Sequence, residues 1–455
     1  MRANKRLLFA LGIVGFWTLL TYFIVIKNYD YNQVDKSKFH EKVVFLENEI
    51  KKETKNRKEI ISRYQNLIRI LNTKSITTTS VNSENALLEL ESNQNKPNSK
   101  IVFNGLYLDN DLYKPVIPIV VFACNRVSIS RSLDLLIKYR PNREQFPIVV
   151  SQDCGDEATK EVILSYKDEV QLIQQPDLSD IEMMPKDKKF KGYYKISRHY
   201  GWALNTVFSN GFEFVIIVED DLDVAPDFYE YFLGTFPLLR SDESLWCVSA
   251  WNDNGKSGLI DENAPELLYR SDFFPGLGWM MSKKLWDEIG PKWPKAFWDD
   301  WIRKPEIRRD RVCIRPELPR SRTFGKIGVS NGLFFEKHLK YIKLSETFVP
   351  FSTKDLSYLL KDNYDKTYIN EVYRTPVVTF EELRSGLVKV DGPVRIQYNS
   401  RNQYKATCRN LGIMDDFKSG VPRTAYAGIV SSFFNNRRVY LAPSTNWKGY
   451  DPSWE

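Results

Sequence analysis

The chain has 455 residues, 42% of them hydrophobic and 14% aromatic, with a formal net charge of +7. That is enough apolar material for one large or two ordinary cores. The positive charge is mild for this length and forms no dense Lys/Arg block, which argues against a nucleic-acid-binding protein.

The first element is residues 7–26, LLFALGIVGFWTLLTYFIVI, a run of 20 residues without a charge. At ~1.5 Å per residue a helix of that length spans a ~30 Å hydrocarbon core. The preceding residues 1–6, MRANKR, carry Arg2, Lys5 and Arg6 and are expected to stay cytoplasmic as a short tail. A cleaved signal peptide would have a shorter apolar core and a small-residue cleavage site. The expectation is a retained signal anchor of type II topology, with everything after Ile26 on the lumenal side.

Residues 27–105 differ in texture. Phe39, Val43, Leu46, Ile50, Ile60, Tyr64, Leu67 and Leu71 follow a 4-3 spacing interrupted by Glu53 and Arg57. That spacing predicts a coiled coil over about 39–71 and a homodimer through this stem, or else a solitary amphipathic helix. Residues 73–100 are rich in Ser, Thr, Asn and Lys without periodicity and read as a flexible spacer.

An α/β body is expected over 106–344. VIPIVVFA (116–123) is an apolar strand, and SISRSLDLLIKY (128–139) has helical spacing. FPIVVSQD (146–153) predicts a second strand, DEATKEVILSYK a helix, and VQLIQQ a short third strand. Ile196, Tyr200, Ala203, Leu204, Val207 and Phe208 form a helical stripe before the strand FEFVIIV. This alternation predicts a mostly parallel, Rossmann-like sheet with ligands at its carboxyl edge. From about 345 to 455 the runs TPVVTF, GLVKV, PVRIQY and RRVYLA predict a smaller, β-rich second domain.

The strand FEFVIIV stops at Glu219, Asp220 and Asp221. Adjacent carboxylates at the end of a buried strand are costly unless a cation compensates them. They either cap a turn or hold a hard divalent ion, Mg²⁺ or Mn²⁺. In an α/β sheet on an anchored lumenal protein, the natural partner of that ion is the diphosphate of a nucleotide sugar. Farther on, FWDDW places Asp299 and Asp300 side by side, as a helix N-cap pair or as a candidate general base. Sequence alone does not rank them. Of Cys124, Cys154, Cys247, Cys313 and Cys408, an odd set, at least one is unpaired within the chain, and no pair has metal-site spacing.

The segment VEDDLDVAPDFYEYF resembles the metal motif of the N-acetylglucosaminyltransferase I family. FACNRVSISRSLDLL, VSQDCG, YYKISRHYGWAL, FFPGLGWM, WPKAFWDDW, CIRPE and TFGKIGVSNGLFF resemble further blocks of that family in the same order. The resemblance runs from about 115 to the C-terminus. It implies a GT-A nucleotide-diphospho-sugar transferase fold with a small second domain, in the Golgi membrane with the catalytic part lumenal. The implied reaction is inverting transfer of GlcNAc from UDP-GlcNAc, with Mn²⁺, in β-1,2 linkage to the α-1,3-arm mannose of an N-glycan. Two alternatives are transfer to protein O-mannose, or a non-catalytic Golgi glycan-binding protein.

The resemblance also implies roles. Asp221 is the metal ligand, supported by Asp220, and Glu219 faces the sugar. Arg126, Asp153 and His199 contact the donor, as do Leu277 and the pair Val329 and Ser330. Asp299 is the base, with Trp298 beside it against the sugar. GKIGVSNGLFF (325–335) is a loop that closes over the donor. Asn125 and Asn331 stand where the family carries Asp and His, which leaves details of the donor loop open. The implied disulfides are Cys124–Cys154 and Cys247–Cys313, with Cys408 left free.

Overall fold

Strand β4, Phe214–Glu219, shows how the fold is organised. Phe214, Ile216 and Val218 pack into one apolar cluster, while Val215 and Ile217 pack into another. Both faces of the strand are therefore covered, as the uninterrupted apolar run requires. The computed structural model describes residues 115–455 except 330, 331 and 333, together with Val44. The anchor (7–26), nearly all of the stem and its coiled coil lie outside the described residues. Among the described residues no helix is long and apolar enough to cross a membrane.

The central sheet has eight strands. They are β1 Ile119–Ala123, β2 Ile148–Gln152, β3 Val170–Gln174, β4, β6 Leu245–Ser249, β7 Leu268–Ser271, β8 Trp279–Ser282 and β9 Val312–Pro316. The spatial order is β3-β2-β1-β4-β8-β6-β9-β7. The first four pair in parallel, as do β6 and β9, whereas β8 and β7 run antiparallel to their neighbours. The expected mostly parallel α/β sheet is thus present. Short β5 Leu222–Val224 leaves the end of β4 and pairs with β10 Ser321–Thr323.

Helices α1 Ile129–Tyr139, α2 Glu157–Leu164 and α4 Phe228–Ser241 lie on one face. Helices α3 Lys191–Phe208 and α5 Lys283–Ile289 lie on the other. The side chain of Asp156 caps α2 by accepting from the Thr159 amide, one of the donors a helix start leaves unpaired. In α3 the predicted stripe faces inward: Tyr200, Ala203, Leu204, Val207 and Phe208 are buried, and Ile196 packs against the same cluster.

After residue 345 helix outweighs strand, contrary to the β-rich expectation. PVRIQY and RRVYLA are strands: β11 Val394–Tyr398 and β15 Arg437–Pro443. With β14 Val430–Phe434 they form a three-stranded sheet, and β12 Phe417–Lys418 pairs with β13 Val421–Pro422. TPVVTF contributes only a bridge at Val377, because Thr379 and Glu382 make a capping box that starts helix α8, Phe380–Arg384. GLVKV is irregular, with Leu387 and Val390 exposed. Helix α9 Arg401–Leu411 covers the small sheet and buries Cys408 without a disulfide. The described residues from 115 to 455 belong to one compact unit.

Candidate active site at the carboxyl edge of the sheet

The strand order turns at β1, which lies between β2 and β4. Chain leaving β1, β2 and β4 meets there at one edge, the usual ligand crevice of an open α/β sheet. Arg126 follows β1, Asp153 follows β2, and Glu219 to Asp221 end β4. The disulfide Cys124–Cys154 ties the first two turns together, and Cys247–Cys313 joins β6 to β9. Both implied pairings are present.

The three carboxylates have different partners. Arg126 Nε stands 2.8 Å from Asp220 Oδ1, and its Nη2 stands 3.6 Å from Asp221 Oδ2. Glu219 Oε1 accepts the Tyr200 hydroxyl at 2.9 Å. Asp221 Oδ1 is buried without a hydrogen-bond partner. Burial pushes Glu219 up to about 7, with the charges of Asp221, Asp220 and Asp299 adding to it and the Tyr200 bond opposing it. Burial likewise raises Asp220 to about 6 against the pull of Arg126, and it raises Asp221. One guanidinium does not neutralise three largely buried carboxylates, so the site has room for additional positive charge.

The test for a divalent ion is the donor set. Among the described residues no group of three or more His, Cys, Asp or Glu side chains is arranged to hold a metal. A single carboxylate with an unpartnered oxygen fits an ion of the Mg²⁺ or Mn²⁺ kind, which keeps water and completes its shell from substrate phosphates.

Beside this cluster, Asp153 and His199 face each other. His199 is buried, its Nε2 lies 2.7 Å from Ser151 Oγ, and burial lowers its pKa to about 4 despite the charge of Asp153. It therefore acts as a neutral imidazole at physiological pH.

The second acidic pair sits on short helix α6, Trp298–Ile302, followed by α7, Pro305–Arg308. Phe297 precedes α6 at φ +51° and makes no side-chain cap, and neither do the aspartates. A bulky residue in the left-handed region is strained, a feature common where a site is held in position. Arg303 Nη1 contacts Asp299 at 3.0 Å and Asp300 at 3.1 Å. Lys418 Nζ adds a second cation to Asp300 alone, at 3.1 Å. Asp300 thus has two cationic partners and Asp299 one, and both carboxylates are partly exposed. The Asp299 charge also acts on Glu219 and Tyr200, which sets it across from the triplet.

Trp298 is buried rather than open to a ligand. Its ring stacks on Tyr200 at 4.6 Å and on Trp293 at 5.7 Å, and Phe274 meets it edge-on at 6.0 Å. It buttresses the Tyr200 ring, whose hydroxyl bonds Glu219. Leu277 is half-buried at φ +52°, and its carbonyl accepts from Ser321 Oγ at 2.5 Å on β10.

In the glycine-containing loop, the Ile327 carbonyl accepts from Arg126 Nη2 at 2.9 Å. Val329 packs on Gly192 of α3, and Ser330, like Asn331, lies outside the described residues. Sequence reasoning missed the hydroxyl of Tyr200, the sorting of the aspartates by Arg303 and Lys418, and the contact of the loop with Asp221. Only Tyr200 left a signal: a phenol on a buried stripe needs a polar partner.

Comparison with known proteins identifies the family. The family model described as the GNT-I family matches residues 29–454. A relative from Arabidopsis thaliana, alpha-1,3-mannosyl-glycoprotein 2-beta-N-acetylglucosaminyltransferase, is 40% identical over 331 residues, 72% of this chain and 74% of that one. Among solved structures, the mannosyltransferase PcManGT from Pyrobaculum calidifontis, in complex with GDP-Man and Mn²⁺, matches with TM-score 0.31 at 15% identity, covering 46% of this chain and 59% of that one. S. aureus TarS in complex with UDP-GlcNAc matches with TM-score 0.25 at 14% identity, covering 38% and 47%. Likenesses that small carry no argument about the site. The family model matches most of the chain and the relative is 40% identical over 72% of it, and the chain therefore belongs to the GNT-I family and is a glycosyltransferase.

Proposed function

We propose that this chain transfers GlcNAc from UDP-GlcNAc, with inversion, in β-1,2 linkage to the α-1,3-arm mannose of the five-mannose N-glycan. The observation that carries the reading is Asp221: a half-buried carboxylate at the switch point of the sheet with one buried, unpartnered oxygen. Asp221 would hold Mn²⁺, which when bound neutralises charge developing on the departing diphosphate. Arg126 steadies Asp220 and the loop carbonyl at Ile327, and so shapes the diphosphate pocket. Asp153 and neutral His199 line the nucleoside side, and Glu219, oriented by Tyr200, faces the GlcNAc.

Inversion needs one base on the face opposite the leaving group. Asp299 takes that role, removing the proton from the acceptor O2 as it attacks the anomeric carbon. Its partial exposure gives an acceptor hydroxyl access, and Trp298 and Arg303 keep it in place. The loop over 325–335 closes on the donor and keeps water from competing. This reading assigns the sheet domain to the GT-A class.

Residues 7–26 anchor the chain as a type II protein of the Golgi membrane, and 27–105 form a stem that pairs two copies. The two disulfides suit an oxidising lumen. The test is a mass-spectrometric product assay of the full-length protein with UDP-GlcNAc, Mn²⁺ and matched acceptors. One added GlcNAc on the five-mannose N-glycan and none on an O-mannosyl peptide supports the reading. The reverse pattern, or no transfer, overturns it.

A further inference from the structure

The C-terminal segment builds a second concavity that the transfer chemistry does not use. It has a volume of about 210 Å³ and is walled by Phe417, Gly420, Trp447, Tyr450, Asp451 and Trp454, with Asn399 at its edge. The wall is fixed by close packing. Gly420 has φ +78°, and a Cβ there would lie 2.3 Å from the Asp451 carbonyl oxygen, so the 447–454 segment presses onto the turn between β12 and β13. The Tyr450 hydroxyl donates to Asp272 Oδ2 at 2.6 Å and accepts from the Gly428 amide at 2.9 Å. Trp447 meets the Tyr450 ring edge-on at 4.9 Å and stays half-buried.

Two links tie this pocket to the segment bearing Asp299. Lys418, next to Phe417 on β12, is one of the two cations on Asp300. Asp272, the partner of Tyr450, also pairs with Arg308 on α7 at 3.7 Å. The pocket therefore neighbours the segment bearing Asp299, the proposed base, and none of its lining residues comes from β1, β2 or β4.

Its lining selects a chemical class. No Lys or Arg faces it, which disfavours a phosphate or an acidic peptide. Half-buried indole and phenol rings offer an apolar platform, and Asp451 and Asn399 offer a carboxylate and an amide at the rim. A pyranose has the matching surface, one face of C–H groups and an edge of hydroxyls. We infer that this pocket is a subsite for a second mannose of a branched acceptor, remote from the reacting one. The inference rests on the acceptor reading given above and extends it to how the other arm is held.

The experiment uses the full-length protein and two probes. In transfer assays, KM is measured for the five-mannose glycan and for the disaccharide mannosyl-α-1,3-mannose. Trp447→Ala is expected to raise KM for the five-mannose glycan by about tenfold, a difference of about 1.4 kcal/mol. It should leave kcat, the donor KM and the disaccharide KM unchanged. Trp447→Phe should restore most of the loss, and Asp451→Asn should raise the same KM by about threefold. In parallel, saturation-transfer NMR with methyl α-mannoside on the unmodified protein should show binding that Trp447→Ala abolishes. An unchanged five-mannose KM, or equal rises for both acceptors, overturns the subsite while leaving the activity intact. Mannoside binding at Trp447 without any GlcNAc transfer supports the pocket and removes the activity reading. Absence of mannoside binding to the unmodified protein overturns the pocket.

Discussion

The backbone of Gly325 lies directly against the carboxylate of Asp221: a Cβ added at Gly325 would sit 1.9 Å from Oδ2 and 2.7 Å from Cγ. The loop that follows β10 is thus seated on the proposed metal ligand itself, and the Phe324 amide donates to the Asp221 carbonyl at 2.9 Å.

Gly325→Ala should therefore act on the site more than on the fold. The methyl group must push either the carboxylate or the loop aside, and misplacing a reacting group by about 1 Å can cost about 10²-fold. Steady-state assays should show kcat/KM for transfer reduced by about two orders of magnitude, with a melting temperature within a few degrees of the unmodified protein. Normal turnover in this variant would mean that the seating of the loop on Asp221 has no part in catalysis.

The two neighbouring aspartates should separate cleanly. Asp299→Asn removes the only proton acceptor assigned to the acceptor hydroxyl and should lower kcat by about 10²–10⁴-fold. Asp300→Asn loosens a contact already shared by Lys418 and Arg303 and should cost less than about tenfold. Turnover numbers for the pair decide it; the opposite ranking would make Asp300 the base.

His199 makes a prediction about acid stability. Its folded pKa of about 4 lies below the ordinary value of 6.5 because it is buried as a neutral ring. Between those values the unfolded chain binds a proton that the folded chain does not. Stability is accordingly full above pH 6.5 and is lost as pH falls toward 4, by roughly 1–3 kcal/mol. His199→Gln, which can keep a bond to Ser151, should flatten that part of the stability curve in denaturant titrations at pH 7 and pH 5. An equal drop in both proteins would assign the acid sensitivity elsewhere; His338, also lowered to about 4 by burial and Lys256, contributes in the same direction.

The Cys124–Cys154 bridge spans a sequence separation of 30 and braces the turns carrying Arg126 and Asp153. Replacing both cysteines by Ser should cost about 3 kcal/mol of stability through the looser unfolded chain. It should also raise the donor KM severalfold while leaving the acceptor KM unchanged. Chemical denaturation and donor titration read the two effects separately.

The parts of this molecule legible in its sequence are those written in local pattern. The apolar runs at 119–123, 148–152 and 214–219 announce strands and place charged residues just past their ends, and the stripe from Ile196 to Phe208 announces α3. What was not legible lies in contacts between distant segments. Lys418 is 118 residues from the Asp300 it neutralises, and Gly325 is recognisable as a glycine but not as the neighbour of Asp221. Trp298 beside an acidic pair suggests a sugar platform, yet its burial is decided by Tyr200, Trp293 and Phe274 from three other elements. GLVKV has strand composition yet is irregular, with Leu387 and Val390 exposed and only Val388 packed against the small core.

The division of labour between Asp221 and Asp299 is the centre of this account, and calorimetric titration of UDP-GlcNAc with and without Mn²⁺ tests it most directly. Asp299→Asn should bind the donor with nearly unchanged, Mn²⁺-dependent affinity while transferring almost nothing. Asp221→Ala should lose the Mn²⁺-dependent part of donor binding altogether. Donor binding that persists with full Mn²⁺ dependence in Asp221→Ala, or vanishes in Asp299→Asn, would contradict it.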